Sequence, residues 1–152
     1  TLLFNLKDKN SIDTFFKIDE AEIHGQKTPV LVELDETKKK YGFKFENGKP
    51  VYEITLEFQC RVVSANADMP VSELFPAAKA SDEILRATEK KITETLEKIY
   101  RKIQLADCDL FGIKNTLYRF HYPRYDELKD NIINSTVLKT NVVCKAKSTT
   151  RV

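Results

Sequence analysis

The chain has 152 residues, 41% of them hydrophobic and 32% charged, enough for one domain with a sizeable apolar core and too apolar for general disorder. Lys+Arg 25 against Asp+Glu 23 leaves a net charge of +2 with both signs interspersed, which argues against a nucleic-acid binder and gives no general field for anionic lipid. No apolar run approaches the roughly 20 residues of a membrane-spanning helix and no charged-then-apolar leader is present; a chain that starts at Thr1 with Met69 as its only methionine is expected to be a processed protein or a fragment whose targeting segment lies elsewhere.

Residues 1–6 (TLLFNL) are apolar enough for a first strand, followed by the turn cluster Lys7-Asp8-Lys9-Asn10-Ser11. Segment 12–23, with Ile12, Phe15, Phe16 and Ile23 apolar, reads as an irregular strand and connection in preference to a short helix capped by Ser11. From Thr28 the pattern is clear: Val30, Val32 and Leu34 alternate with Leu31, Glu33 and Asp35, the period of a sheet strand, with Pro29 near its start where no ladder donor is needed. Lys38-Lys39-Lys40 is expected as a solvated turn leading to a segment in which Tyr41, Phe43 and Phe45 share a face. Asn47-Gly48 is a strong hairpin signal. The return strand, 51–63, places Ile54, Leu56, Phe58 and Cys60 on one face and Thr55, Glu57, Gln59 and Arg61 on the other.

Segment 64–80 contains Pro70 and Pro76 and reads as a connection, with room for a helical turn at 71–75. Ser81 is a plausible N-cap, and Asp82 and Glu83 suit a first turn. A long amphipathic helix follows, with Ile84, Leu85, Ile92, Leu96, Ile99, Ile103 and Ala106 on its apolar stripe and Glu94–Lys98 and Glu97–Arg101 as i,i+4 pairs on its outer side. Asp107 and Asp109 favour termination and a new cap, so a second helix is expected from about 110 to 120, with Gly112 in its first turn. Pro123 suits the start of a third helix, 124–133, with Leu128 and Ile132 facing inwards. The last strand, 137–147, alternates Leu138, Thr140, Val142, Cys144 and Ala146 with polar positions, and the tail 148–152 is expected to fray. Together these predict a single α+β domain over 1–152: an antiparallel sheet of about four strands, with one long amphipathic helix and two shorter helices packed on one face.

Chemistry is sparse. His24 and His121 are the only histidines and neither stands at metal-ligand spacing from a cysteine, so no metal is expected. Gly25, Gly42, Gly48 and Gly112 form no phosphate-binding loop, and no cofactor is implied. Cys60 and Cys144 fall in predicted strands and read as buried free thiols, although a sheet could make them neighbours. A small-ligand or hydrolytic crevice around Cys108 and His121, which flank the second helix, is the alternative reading; Asp107 and Asp109 are explained by capping. A basic aromatic cluster, Tyr118, Arg119, Arg124 and Tyr125, is the candidate partner surface, since Tyr and Arg are favoured at protein interfaces.

Several of these residues carry a resemblance. Gln104 and Asp107 at the end of the long helix, the pair Phe111-Gly112, the element Tyr122-Pro123-Arg124-Tyr125 and the alternating final strand resemble the C-terminal domain of the Ger(x)C family, the lipoprotein C subunits of nutrient germinant receptors in spore-forming bacteria. The first half, with its Pro-led strand and Asn47-Gly48 hairpin, fits the sheet that precedes the helix there. The family often carries Trp after the Pro; this chain has none, with Tyr125 and Ile132 in comparable places. The resemblance implies a non-enzymatic domain acting through protein contacts. Its expected partners are the receptor A and B subunits, and its expected place is the outer face of the spore inner membrane, held by an N-terminal lipid outside this fragment.

Overall fold

Alternation of period two and period 3.6 in the sequence becomes four strands and four helices in the computed structural model, which describes residues 14–23, 26–65 and 81–147. The strand expected at 1–6, the turn after it, the helical turn at 71–75, the tail and His24 lie outside the described residues. Strands β1 (Thr14–Ile23), β2 (Gln26–Glu46) and β3 (Lys49–Ala65) precede helices α1 (Asp82–Leu105), α2 (Ile113–Phe120), α3 (Tyr122–Leu128) and α4 (Ile132–Ser135), and β4 (Val137–Ala146) closes the fold. The sheet order is β1-β2-β3-β4, an α+β architecture. Its residues gather into two compact units. The first takes in β1, β2 up to Lys39, β3 from Leu56, α1 up to Thr93 and β4 from Val142; the second takes in Lys40 to Thr55 and Glu94 to Asn141.

In the first unit β1 pairs antiparallel with β2, Thr14 opposite Leu34 and Ile18 opposite Val30, with an irregularity between Ile18 and Ala21. Even-numbered residues turn inwards: Val30, Val32 and Leu34 on β2 and Leu56, Phe58, Cys60 and Val62 on β3 are buried, as are Ile84, Thr88 and Ile92 on α1. Burial of such side chains stabilises by roughly 1.5–3 kcal/mol each relative to exposure. Ser81 caps α1 as its sequence predicts, its Oγ accepting from the Ile84 N–H at 3.4 Å.

The last strand enters in a direction that alternation alone could not reveal. Lys145 Nζ meets Glu57 at 2.7 Å, and the Lys147 N–H donates to the Cys60 carbonyl at 2.9 Å, so partner numbers rise together and β4 runs parallel to β3. The helices between them supply the crossover that a parallel pair requires. The Cys144 N–H, three residues before Lys147 and so turned to the other side of the strand, donates instead to Glu89 Oε1 of α1 at 2.8 Å. A helical carboxylate thereby satisfies a donor on an outer strand.

The second unit begins where β2 changes phase. The lysine run is strand rather than turn: the inward parity, even at the buried residues 30–34, becomes odd at Tyr41, Phe43 and Phe45, whose rings meet Tyr52 and His121, a slip of one residue such as a β-bulge makes. At that place the Thr37 hydroxyl donates to the Glu57 carbonyl at 3.1 Å. The hairpin forms as expected, Asn47 and Gly48 both at positive φ (50° and 77°) as a type I′ turn requires.

Four rings organise this unit. Tyr41 stacks on Tyr52 (centroids 6.2 Å), Tyr52 on Phe111 (5.4 Å), and Phe111 lies against Tyr100 (6.1 Å). Tyr100, rather than Ile99, joins the buried stripe of Leu96 and Ile103, because its hydroxyl donates to the Thr136 carbonyl at 2.9 Å, with Ile133 O at 3.3 Å. The expected i,i+4 pairs Glu94–Lys98 and Glu97–Arg101 do not form ion pairs. The short helices also divide differently: α2 starts at Ile113 rather than 110, and the stretch expected as one helix over 124–133 is two, α3 and α4, with Pro123 in the first turn of α3.

Burial pushes the Tyr52 and Tyr100 phenols up to about 12, with Asp109 adding to both. Their neutral form is favoured in the folded state, so the stability they contribute is complete below pH 10 and lost as pH rises from 10 through 12. The chain has 6 Tyr and no Trp, so absorbance at 295 nm should show two phenols ionising late, together with alkaline unfolding. Tyr100→Phe should leave one late phenol and cost about 1 kcal/mol at neutral pH by denaturant melting. Ionisation of all six in a single step near pH 10 in a folded protein would contradict this packing.

Candidate partner interface

The end of α1 sets up everything that follows in the second unit. Asp107 takes a left-handed conformation (φ 44°); its N–H donates to the Gln104 carbonyl and the Cys108 N–H to the Ile103 carbonyl, both at 3.1 Å. This is a Schellman ending, with Asp where Gly or Asn is usual. Asp109 then accepts from the backbone N–H groups of Ile113 (2.6 Å) and Lys114 (3.0 Å), satisfying two orphan donors at the start of α2 from a position before the helix. Gly112, at φ 70° and ψ 30°, is the residue before α2 and not part of its first turn. An added Cβ would meet nothing within 4 Å, so this glycine is needed for its dihedral and not for space.

From that start α2 buries Ile113 and Leu117 and turns Tyr118, Arg119 and Phe120 outwards. His121 joins α2 to α3, accepting from Tyr125 N–H at 2.9 Å. Its ring packs on Phe43 (5.7 Å) and Phe45 (5.3 Å) of β2, and the Arg124 guanidinium lies over the Phe45 ring at 5.8 Å, a cation–π contact. Helix α3 has no buried residue. It is held by rings: Tyr125 on Tyr118 (5.2 Å), Tyr118 on Tyr122 (5.6 Å) and Tyr122 on Tyr125 (6.1 Å).

The four expected surface residues therefore come together on α2 and α3, but not as equals. Tyr118 is 55% exposed and Tyr125 half-buried. Arg124 is paired with Glu127 at 2.8 Å, whereas the Arg119 side chain makes no ion pair or hydrogen bond among the described residues. Tyr122, 56% exposed, belongs to the same surface through its contacts with Tyr118 and Tyr125, and Phe120, 73% exposed, stands between Tyr118 and Tyr122 in sequence. Residue type alone did not single out these two rings; their position at the α2–α3 joint, where an amphipathic stripe breaks, was the available signal.

Cys108 and His121 do not form a relay. Cys108 is exposed in the turn after α1, the His121 ring contacts are the two phenylalanines, and no hydrogen bond joins the pair. Among the described residues no group of three His, Cys, Asp or Glu could hold a metal ion.

A sequence profile for "Spore germination B3/ GerAC like, C-terminal" matches residues 2–151. The chain belongs to this family. No curated protein sequence matches it. A similar solved structure is the crystal structure of the GerBC protein, with a TM-score of 0.64 over 89% of this chain at 19% identity, a likeness of fold. The chain spans 40% of the length of that GerBC chain.

For a member of the GerAC-like family, the residues that carried the resemblance have structural jobs. Gln104 Nε2 reaches the Ile133 carbonyl at 3.4 Å, Asp107 ends α1, Phe111 stands in the ring column, Gly112 turns the chain, and Tyr122 to Tyr125 open α3. Cys60 and Cys144 are both free and buried, and the Cys60 thiol beside it, together with burial, pushes the Cys144 thiol well above its usual range. Only Cys108 of the three should react with a maleimide in the native protein, at one equivalent per chain, and Cys108→Ser should remove that reaction. Rapid native labelling of two or three thiols would contradict the burial of the pair.

Proposed function

We propose that the chain is the C-terminal domain of the C subunit of a nutrient germinant receptor, acting in spore germination through protein–protein contacts and without chemistry of its own. Family membership over residues 2–151 is the observation that carries this reading. In it, the full-length subunit is held on the outer face of the spore inner membrane by an N-terminal lipid, and the domain meets the membrane-embedded A and B subunits. No described helix is long and apolar enough to cross a membrane; the reading assigns attachment to the lipid and to the embedded subunits.

The contact surface in this reading is the α2–α3 face with Tyr118, Arg119, Arg124 and Tyr125. Exposed rings grouped on adjoining elements mark partner sites more often than scattered apolar residues do, and Tyr and Arg dominate interface energetics. The domain keeps its own fold while these residues are bound, because none of them supplies the buried core. Replacing Tyr118 and Tyr125 together by Ala in the full-length subunit should lower co-purification of the A and B subunits at least tenfold, while the isolated domain still unfolds cooperatively and loses at most the helix signal of the 7 residues of α3. Undiminished recovery would place the contact on another face.

A further inference from the structure

Resting on that assignment of the surface, we infer that Arg119 is its charge-reading residue and that the surface takes an acidic segment of a partner protein. A carboxylate of that segment meets the Arg119 guanidinium, and an apolar or proline side chain next to it lies over the exposed, mutually packed rings of Tyr118 and Tyr122.

The cations of this face separate by what they already hold. Lys114 is bound to Asp107, Arg124 to Glu127 and the Phe45 ring, and Lys129 to Asp126. Arg119 alone on α2 and α3 has no counter-ion among the described residues. It stands in sequence between two exposed rings, Tyr118 and Phe120, with Tyr122 beyond. A guanidinium is weakly hydrated and presents a planar fork that matches a carboxylate, so its attraction grows when neighbouring rings exclude water on docking.

The same inventory disfavours an anionic bilayer as the occupant. Asp126, Glu127 and Asp130 lie on and just after α3, and the surrounding cations are neutralised by them or by Asp107. One free cation supports a point contact but gives little field for a lipid surface, where affinity builds up over several unpaired basic residues. Arg124 acts differently: it ties α3 to Phe45 of β2 and is a positioning residue for the ring cluster.

Recovery of the A and B subunits with full-length C subunit, at 0.1 and 0.5 M NaCl, tests this. Arg119→Glu should lower recovery at least tenfold at low salt and remove its salt dependence. Arg119→Lys should retain more than Arg119→Glu, and Arg86→Met on α1, outside α2 and α3 and exposed, should lose less than threefold with salt dependence intact. If the Tyr118/Tyr125 double variant loses its partners while Arg119→Glu keeps them, the surface stands and the acidic partner is overturned. If both variants keep their partners, the surface assignment itself falls, and this inference with it. Phe120→Trp places a single Trp in a chain that has none. Its emission should stay unshifted with phosphatidylglycerol vesicles; a blue shift with vesicles alone would overturn the proposal in favour of lipid.

Discussion

The phenol of Tyr100, bonded to the Thr136 carbonyl and packed through Phe111 to Tyr52 and Tyr41, is the constraint on which the second unit depends. It links α1, the turn after it, both strands of the hairpin and the junction of α4 with β4. A buried hydroxyl costs free energy unless it is hydrogen-bonded, and this one finds its acceptor at Thr136, directly after α4. Ring stacking contributes about 0.5–1.5 kcal/mol per pair beyond area burial. Once Phe111 is in the column, Gly112 and Asp109 start α2 directly after it, and the direction of α2 follows.

Charged residues play a smaller and more local part. On the outward side of the sheet Glu46 is held by Lys139 and Lys44, and these contacts lower its carboxyl to about 2. Arg61 meets Glu33 and Lys147 meets Asp35 in the first unit. Such exposed pairs are worth little in stability individually. Their effect is to give an otherwise half-wet β-face its own counter-ions, which leaves the uncompensated Arg119 more conspicuous.

Much of this was legible from residue order because local rules and tertiary demand agree. Asn47-Gly48 makes the turn its backbone preferences require, Ser81 caps α1, and the even-numbered apolar residues of β3 are the core. Legibility failed where two structures share one pattern. Alternation in 137–146 is identical for parallel and antiparallel pairing, so the direction of β4 depended on contacts far away in sequence. The lysine run looked like a turn because the alternation breaks there, yet a one-residue slip breaks it equally well. Tyr100 was passed over for Ile99, since a helical stripe is read from apolarity and not from an acceptor 36 residues on. At the surface, sequence brought Tyr118, Arg119, Arg124 and Tyr125 together but could not tell a free arginine from one already paired.

The family places this domain among spore-germination proteins, and the residues that mark it as a member hold the α2–α3 joint in place. Its structure thus turns that motif into a surface: caps and a glycine set two short helices, a ring column anchors them, and rings face outwards beside Arg119, whose side chain has no partner among the described residues. Site-specific photocrosslinking in the assembled receptor tests that claim most directly, with a benzoyl-phenylalanine at Tyr122 on this surface and another at Phe15 on β1, also exposed. Crosslinks from position 122 to another receptor subunit, absent from position 15, are the predicted result. Crosslinks from position 15 and none from 122 would contradict it.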